Sequence, residues 1–289
     1  MPPGDGGVMT VNAMDKLRTV LEIYGILHHL PGWRQAFKIL INPMDSTRYI
    51  EFAHLLRFLD KRGVRPERIL DVSSPYILSY VLSKTGKVIK TDINPEEGKF
   101  IREGENLSFR PEDATHLSFG DDSFDLVYSI SVIEHIHGNY LKAVREMARV
   151  TRPGGYLYLT FPVSSTRMEE WLEEDPYGVQ HRAEGRWFFQ YRFSEEDLTG
   201  ICSASGEMEV LDRSVYWERK AGRYNRVMEW LRKDLGVGKV NVVKNSLVNL
   251  VSGFFLLENR PEKFRCSRPF GNASIVLRKK PGADCGSGN

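Results

Sequence analysis

Residues 68–94 read RILDVSSPYILSYVLSKTGKVIKTDIN, and this stretch decides the fold class. A short apolar run at 68–72 ends at a polar turn, a helical segment at 76–84 follows, and a second apolar run at 87–92 ends at an acid. A strand, a helix and a strand in this order predict a parallel βαβ unit. Apolar strands of this kind suit a sheet that helices cover on both faces.

The alternation of strands and helices continues toward the C-terminus. Strands are predicted at 107–110, 124–129, 155–161, 208–217 and 273–278, and helical segments at 96–103 and 140–150. Ser194 and Asp197 form a capping-box pattern that predicts a helix start. The sequence therefore predicts an α/β fold with a sheet of seven strands.

The segments outside this pattern define the predicted domain organisation. Residues 1–65 are a helical N-terminal extension, whose third helix, at 46–61, ends at Gly63. Residues 66–280 form the α/β domain, which carries insertions at about 162–193 and 218–269. The Pro- and Gly-containing residues 281–289 are predicted to be a disordered tail.

Composition and charge exclude several classes of protein. The chain has 289 residues, of which 41% are hydrophobic and 27% charged, as in soluble globular proteins. Forty basic and 38 acidic residues give a net charge of +2, so no nucleic-acid partner is expected. The N-terminus lacks a signal-peptide pattern, and the apolar stretch at 247–257 is too short to span a membrane.

The cysteines indicate the compartment. Cys202, Cys266 and Cys285 are far apart and form no CxxC pair, which fits a reducing cytosol and argues against a zinc site. We therefore expect a cytoplasmic protein without a metal ion.

Three acidic residues recur at even intervals along the predicted sheet. Asp71, Asp92 and Asp113 each lie at or just past the end of a strand, where ligands bind in open α/β sheets. Asp92 follows Asp71 by 21 residues, a spacing that fits a carboxylate accepting hydrogen bonds from ribose hydroxyls. The alternative is that all three are turn or cap residues.

A combination of short motifs resembles a known family. The motifs are ILDV at 69–72, TDIN at 91–94, EDATHLSF at 112–119, DSFDLV at 122–127, SVIEHI at 131–136 and VTRPGGY at 150–156. Together they resemble the class I S-adenosylmethionine-dependent methyltransferases, in the group that methylates small molecules, over about a third of the chain. The resemblance implies a Rossmann-like seven-stranded sheet with helices on both faces, an antiparallel last strand and S-adenosylmethionine as cofactor.

The resemblance also implies which residues surround this cofactor. They are Asp71, Ser73 and Ser74 at the methionine moiety, Asp92 at the ribose hydroxyls, Ile93, Asp113 and Ala114 at the adenine, and Ser129, Ile130 and Ser131 in the wall after the fourth strand. Tyr49 is predicted to close over the site.

A base is needed only where the acceptor carries a proton of high pKa. Glu134 and His135 are the predicted catalytic residues, with His137 and His181 as further candidates. The alternative role of Glu134 and His135 is to pack beneath the sheet edge or to hydrogen-bond a turn.

The first loop departs from the family pattern. The family has D-x-G-x-G-x, whereas Asp71 is followed by Val-Ser-Ser-Pro-Tyr. Ser73 and Ser74 replace the glycines if the loop avoids positive φ, and Ser74 is predicted to cap a helix that starts at Pro75. A loop without glycine leaves open an alternative to the methyltransferase interpretation, a cofactor-deficient pseudoenzyme that acts as a scaffold. The same loop argues against an NAD-binding fold, which needs a glycine-rich loop to hold a pyrophosphate.

The two insertions bear on the acceptor. Aromatic residues and arginines in the first insertion predict a site for a small-molecule or glycan-like acceptor, or else a small aromatic core. The second insertion begins with a basic amphipathic segment at 224–235. It is interpreted as a lid, a dimer contact, or a contact with a membrane surface or a lipid-linked substrate. The sequence favours methyl transfer to a small or glycan-like acceptor, with RNA as a weaker variant.

Overall fold

The computed structural model describes residues 9–175, 177–178, 180–224, 226–227, 230, 242–259 and 270–281. The strands in these residues are β1 (Arg68–Val72), β2 (Lys87–Asp92), β3 (Leu107–Pro111), β4 (Phe124–Ile130), β5 (Thr151–Val163), β6 (Met168–Leu172), β7 (Arg182–Ala183), β8 (Arg186–Arg192), β9 (Met208–Glu218), β10 (Leu257–Asn259) and β11 (Gly271–Lys279). The α-helices are α1 (Ala13–Tyr24), α2 (Trp33–Ile41), α3 (Arg48–Arg62), α4 (Ile77–Leu82), α5 (Tyr140–Val150), α6 (Glu195–Ala204) and α7 (Val242–Val251). Turns of 3₁₀-helix lie at Leu27–His29, Pro95–Phe100 and Ile133–His135, and a π-helical turn lies at Ser252–Leu256.

The central sheet has the strand order β3-β2-β1-β4-β5-β11-β9-β10. Strands β1 to β5 pair in parallel, whereas β11 runs antiparallel to both β5 and β9. This arrangement confirms the predicted Rossmann-like fold and its antiparallel last strand. The short strand β10 adds an eighth strand beside β9, which the sequence did not predict.

Helices cover the sheet on both faces. Strand β4 is buried along its whole length because it lies near the middle of the sheet. One hydrophobic cluster joins the sheet to α5 and α6, and a second joins it to α1, α3 and α4. The carboxyl ends of β1, β2 and β4 therefore meet at one edge, as they do in open α/β sheets.

The N-terminal helices pack directly on the sheet. Gly63 ends α3 with a φ of 64°, as predicted from its position, because the left-handed conformation suits glycine. The Tyr158 hydroxyl on β5 donates a 2.7 Å hydrogen bond to the carbonyl of Glu51 on α3. Tyr49 does not close over the site as predicted. It is buried in the core, with its ring 5.5 Å from that of Phe254.

The first predicted insertion contains a small antiparallel sheet with the order β6-β8-β7. It leads into α6, whose start at the Ser194–Asp197 capping box is confirmed. Most of the predicted amphipathic segment at 224–235, and all but the first residue of the predicted tail at 281–289, fall outside the described residues. The predicted domain boundaries stay predictions. Among the described residues, no helix combines the length and apolar character needed to cross a bilayer.

Candidate active site

A cleft of about 690 Å³ opens at the carboxyl edge of the parallel strands. One part of its wall comes from the loops after β1 to β4, and the other part from the N-terminal extension and the first predicted insertion. Its lining includes Arg48, Ser73, Ser74, Tyr76, Asp92, Ile93, Asp113, Ala114, Ile130, Ser131, His135, His137, Tyr177 and His181. The cleft is within the size range of small-molecule sites in proteins.

The loop after β1 adopts a glycine-like backbone without glycine. Ser73 has a φ of 55°, so the loop does not meet the condition, avoidance of positive φ, under which the serines were predicted to replace the glycines. The Ser73 N–H donates a 2.9 Å hydrogen bond to the carbonyl of Thr91, which holds the loop against the end of β2. A serine in the left-handed region is strained, and such strain concentrates at ligand sites.

Ser74 does not cap the following helix, so that prediction is wrong. Its Oγ accepts a 2.9 Å hydrogen bond from the N–H of Ile130 at the end of β4, and α4 begins only at Ile77. The Ser74 side chain therefore ties the first loop to the end of β4, on the opposite side of β1 from β2.

Asp71, near the end of β1, holds this loop through hydrogen bonds of its buried carboxylate. It is fully buried, and its carboxylate accepts hydrogen bonds from the Ser74 N–H at 2.9 Å, from Tyr128 Oη at 2.8 Å and from Ser79 Oγ. Burial raises the pKa of Asp71 above its ordinary value, although the Lys90 ammonium opposes this shift. The carboxylate is thus used in positioning the loop, and Asp71 is not among the residues that line the cleft.

Lys90 lies between two of the predicted acids. Its ammonium is 3.8 Å from Asp71 Oδ1 and 3.8 Å from Asp92 Oδ2, and its side chain is almost completely buried. The parallel register of β1 and β2 places Lys90 directly beside Asp71. Lys90 therefore links the two carboxylates. Sequence reasoning missed it, although a lysine inside an apolar strand was a visible signal.

Asp92 and Asp113 both reach the cleft. Asp92 Oδ1 accepts a 3.0 Å hydrogen bond from the N–H of Asn94, and Asp113 Oδ1 accepts a 2.8 Å bond from the N–H of Thr115. Ile93 projects into the cleft with 52% of its surface exposed, whereas Ala114 is buried in the wall. Two carboxylates and two apolar side chains therefore meet on this side of the cleft.

The end of β4 forms the opposite wall. Ile130 and Ser131 line the cleft, and Ser131 has a φ of 52°. Ser129 lies one residue deeper, where it is buried and its Oγ donates to the carbonyl of Val72 at 3.2 Å. The structure therefore brings Ile130 and Ser131 to the cleft and leaves Ser129 beneath it.

Glu134 is buried next to the cleft and is not among its lining residues. Its Oε2 has no hydrogen-bond partner among the described residues. Burial raises the pKa of Glu134 to about 8, and the nearby Arg48 guanidinium opposes the shift. Glu134 therefore holds a proton near neutral pH.

His135 does line the cleft, and its neighbours fix its tautomer. Nδ1 is 2.6 Å from the Phe189 carbonyl, which can only accept, so Nδ1 carries the proton and Nε2 keeps a lone pair. Burial lowers the pKa of His135 to about 4, which keeps the ring neutral at pH 7. Nε2 lies 3.9 Å from Glu134 Oε1.

The aromatic residues of the first predicted insertion divide into two groups. Phe188 and Tyr191 are buried in the core that joins this segment to the sheet. Tyr177 and His181 line the cleft, where the His181 ring stacks on His137 with centroids 4.3 Å apart. The two alternatives drawn from the sequence therefore apply to different residues, a mini-core for one group and a cleft wall for the other.

Arg48 enters the cleft from the N-terminal extension, and no sequence motif pointed to it. Its Nη1 donates to Ser131 Oγ at 2.7 Å and to Glu51 Oε2. Its Nε is buried without a hydrogen-bond partner among the described residues. Arg48 therefore carries a positive charge beside Ser131 and keeps a donor unused.

Comparisons with known proteins bear on this arrangement. Residues 72–159 match the model of a family described as "Methyltransferase domain". The sequence is 45% identical over 76 residues to a ubiquinone/menaquinone biosynthesis C-methyltransferase of Bdellovibrio bacteriovorus, covering 25% of this chain and 32% of the relative. It is 35% identical over 123 residues to phthiotriol/phenolphthiotriol dimycocerosates methyltransferase 1 of Mycobacterium ulcerans, covering 40% of this chain and 43% of the relative. The chain thus spans less than half the length of either relative.

A solved structure extends the likeness over most of the fold. A coclaurine N-methyltransferase, described as bound to N-methylheliamine and SAH, superposes with a TM-score of 0.53 at 14% identity. The match covers 94% of this chain and 89% of that protein. At this identity the likeness concerns the fold alone.

Proposed function

The chain belongs to the class I S-adenosylmethionine-dependent methyltransferases, and we propose that it transfers the methyl group of this cofactor to a small-molecule or glycan-like acceptor. The observation that carries the proposal is the common cleft. It brings Ser73, Asp92 and Asp113 together with Ser131, Arg48, His135 and His181. A donor and an acceptor can therefore be held side by side, which is the main requirement of methyl transfer.

The residues present fit the cofactor. Ser73 adopts a positive φ, the conformation that glycine permits, so the absence of glycine at this position does not prevent the turn. Asp92 offers a carboxylate to ribose hydroxyls, and Ile93 and Ala114 offer apolar surface to an adenine ring. When bound, S-adenosylmethionine supplies a methyl group that its sulfonium already activates.

The acceptor would lie against the wall formed by Arg48, His135, Tyr177 and His181. Tyr177 and His181 present ring faces and edges, which suit a flat or apolar acceptor. Arg48 brings a guanidinium to this wall, which suits a polar oxygen on the acceptor. Relatives named for ubiquinone/menaquinone biosynthesis and for phthiotriol dimycocerosates support an acceptor with apolar parts.

His135 is the residue best placed to receive a proton from the acceptor. It lines the cleft, is held neutral by burial and keeps its lone pair on Nε2 because Nδ1 donates to Phe189. Glu134, whose raised pKa keeps it protonated at pH 7, is buried beside His135, with its Oε1 3.9 Å from His135 Nε2.

Isothermal titration calorimetry with S-adenosylhomocysteine and with S-adenosylmethionine tests the proposal directly. We expect micromolar affinity in the wild type and at least a tenfold loss in Asp92→Asn, with no change in Glu105→Gln, an exposed acid outside the cleft. Absence of binding by the folded wild type would contradict the proposal and favour the alternative of a scaffold without cofactor.

A further inference from the structure

The helices beside the cleft carry an exposed apolar surface that the proposed function does not use. Its residues are Trp33, Phe37 and Leu40 on α2 and Leu247, Leu250 and Phe255 on α7 and the turn after it. We call them the apolar face. Trp33 is 75% exposed, Phe255 63% and Leu247 61%. Single exposed apolar residues are ordinary, whereas a group of large ones on neighbouring helices marks an interaction surface.

The two elements of the apolar face adjoin one another. Ser246 Oγ on α7 donates to the carbonyl of Ile41 at the end of α2, and Asn249 Nδ2 lies 3.3 Å from Asn42 Oδ1. None of the nine residues of α2 is buried. Ala36 and Ile39 are half-buried against the core, while the aromatic residues of α2 point away from it. Helix α2 therefore lies on the surface with its larger apolar side chains outward.

The charged residues of α2 itself are both basic, and one acid, Asp45, lies at the α7 side of the apolar face, with its Oδ1 3.4 Å from Asn249 Nδ2. Between Glu22 and Asp45 the sequence has no acidic residue, and it contains Arg34 and Lys38, both exposed. Residues 245–257 contain no charged residue. Tryptophan, phenylalanine and leucine together with lysine and arginine are the composition of helices that lie in the interface of an anionic bilayer.

We propose that the apolar face docks on an anionic membrane surface, with Trp33 and Phe37 entering the acyl boundary and Arg34 and Lys38 contacting phosphate headgroups. The helices of the face are too short to span a bilayer, so the contact is peripheral. This inference does not depend on cofactor binding. It goes beyond the proposed function because it assigns the protein a second, lipid partner.

Docking by this face would hold the cleft near the bilayer. On its inner side, α2 donates from Gln35 Nε2 to the carbonyl of Phe100 at 3.4 Å. The Phe100 ring in turn stacks on Tyr76, which lines the cleft, with centroids 5.3 Å apart. An acceptor with apolar parts would then reach the cleft along the membrane surface.

Vesicle flotation of the full chain tests the inference. One set of vesicles contains phosphatidylcholine alone, and the other contains phosphatidylcholine with one-third phosphatidylglycerol. We expect the wild type to bind the anionic vesicles only, and to bind them more weakly at high salt. In Trp33→Ser/Phe37→Ser and in Arg34→Glu/Lys38→Glu, the fraction of protein bound to anionic vesicles should fall at least about fivefold. Two variants serve as controls and should bind like the wild type. Met168→Ser/Val210→Ser removes exposed apolar residues elsewhere, and Lys142→Glu/Arg145→Glu reverses two exposed charges on α5.

Three results would overturn the inference. They are no binding to anionic vesicles by the folded wild type, equal binding by Trp33→Ser/Phe37→Ser, and a dimer in sedimentation velocity that this variant dissociates. The last would assign the apolar face to a second copy of the chain. Calorimetry with S-adenosylhomocysteine on the same variant keeps the two proposals separate, because its cofactor affinity should match the wild type.

Discussion

Glu51 Oε1 on α3 accepts a 3.0 Å hydrogen bond from Ser131 Oγ at the end of β4, 80 residues further along the chain. The same oxygen accepts bonds from Thr160 Oγ1 at 2.8 Å and Asn272 Nδ2 at 3.0 Å. One buried carboxylate therefore joins the N-terminal extension to three strands and positions the wall of the cleft.

Removing this carboxylate should destabilise the whole protein. Glu51→Ala leaves two buried donors, the half-buried Ser131 hydroxyl and the Arg48 guanidinium without their acceptor, so we expect a loss of about 3–5 kcal/mol in the free energy of unfolding. The measurement is urea unfolding followed by circular dichroism. Glu22→Ala, which removes an exposed ion pair with Lys84, is the control and should cost less than about 1 kcal/mol. Similar losses in both variants would contradict this account.

Substitution by glycine should change the stability in opposite directions at the two serines of the first loop, Ser73 and Ser74. Ser73→Gly removes a side chain from a positive φ, so we expect a gain of about 0.5–1 kcal/mol and an increase of roughly 2 °C in Tm. Ser74→Gly leaves the buried N–H of Ile130 without its acceptor, so we expect a loss of about 1–3 kcal/mol. Thermal unfolding compares the two. A destabilised Ser73→Gly variant would show that the φ of Ser73 carries no strain.

Lys90 should stabilise the fold through Asp71. Lys90→Met leaves a buried carboxylate without its nearby cation, so we expect a loss of about 3–5 kcal/mol. Lys87→Met changes an exposed lysine on the same strand and should lie within about 0.5 kcal/mol of the wild type. In a double-mutant cycle with Asp71→Asn we expect a coupling energy of about 1–3 kcal/mol. Additive effects would mean that Lys90 and Asp71 act independently.

The pH dependence of stability should report the proton on Glu134. Its folded pKa of about 8 lies above the value of an unfolded glutamate, so above that unfolded value the unfolded state binds fewer protons and stability falls as pH rises toward 8. The lowered pKa of His135, about 4, acts in the opposite direction between pH 4 and its unfolded value near 6.5. The effect of Glu134 is therefore best separated between pH 6.5 and 8.

Glu134→Gln provides the comparison for that window. We expect the wild type to lose up to about 2 kcal/mol relative to this variant as pH rises from 6.5 to 8. Urea unfolding at several pH values measures the difference. Parallel curves for the two proteins would place the pKa of Glu134 outside this range.

Asp92 should contribute to cofactor affinity rather than to stability. Asp92→Asn keeps an acceptor for the N–H of Asn94 but loses the charge that faces the cleft, so we expect a Kd for S-adenosylhomocysteine at least about tenfold higher. Its Tm should stay within a few degrees of the wild type. A large decrease in Tm without a change in Kd would show that Asp92 is a structural partner of Lys90 and has no role in cofactor binding.

The sequence by itself determined the elements and the edge of the sheet where the cleft lies. Strands β1 and β2 and helix α5 have their predicted bounds, because apolar runs and helical periodicity record which face of an element is buried. Asp92 and Asp113 reach the cleft because the carboxyl ends of parallel strands meet at one edge. These are local patterns, and local patterns are readable along a chain.

Tertiary structure alone decided which distant residues complete the cleft. Arg48 and Glu51 reach the end of β4 from a helix whose periodicity indicates only that it packs on something. The φ of Ser73 depends on a hydrogen bond to Thr91, and the raised pKa of Glu134 depends on burial by other elements. Periodicity shows that a face is buried, but it carries no information on the partner. The protonation state of a buried side chain and the strain of a backbone turn depend on which distant element packs against them.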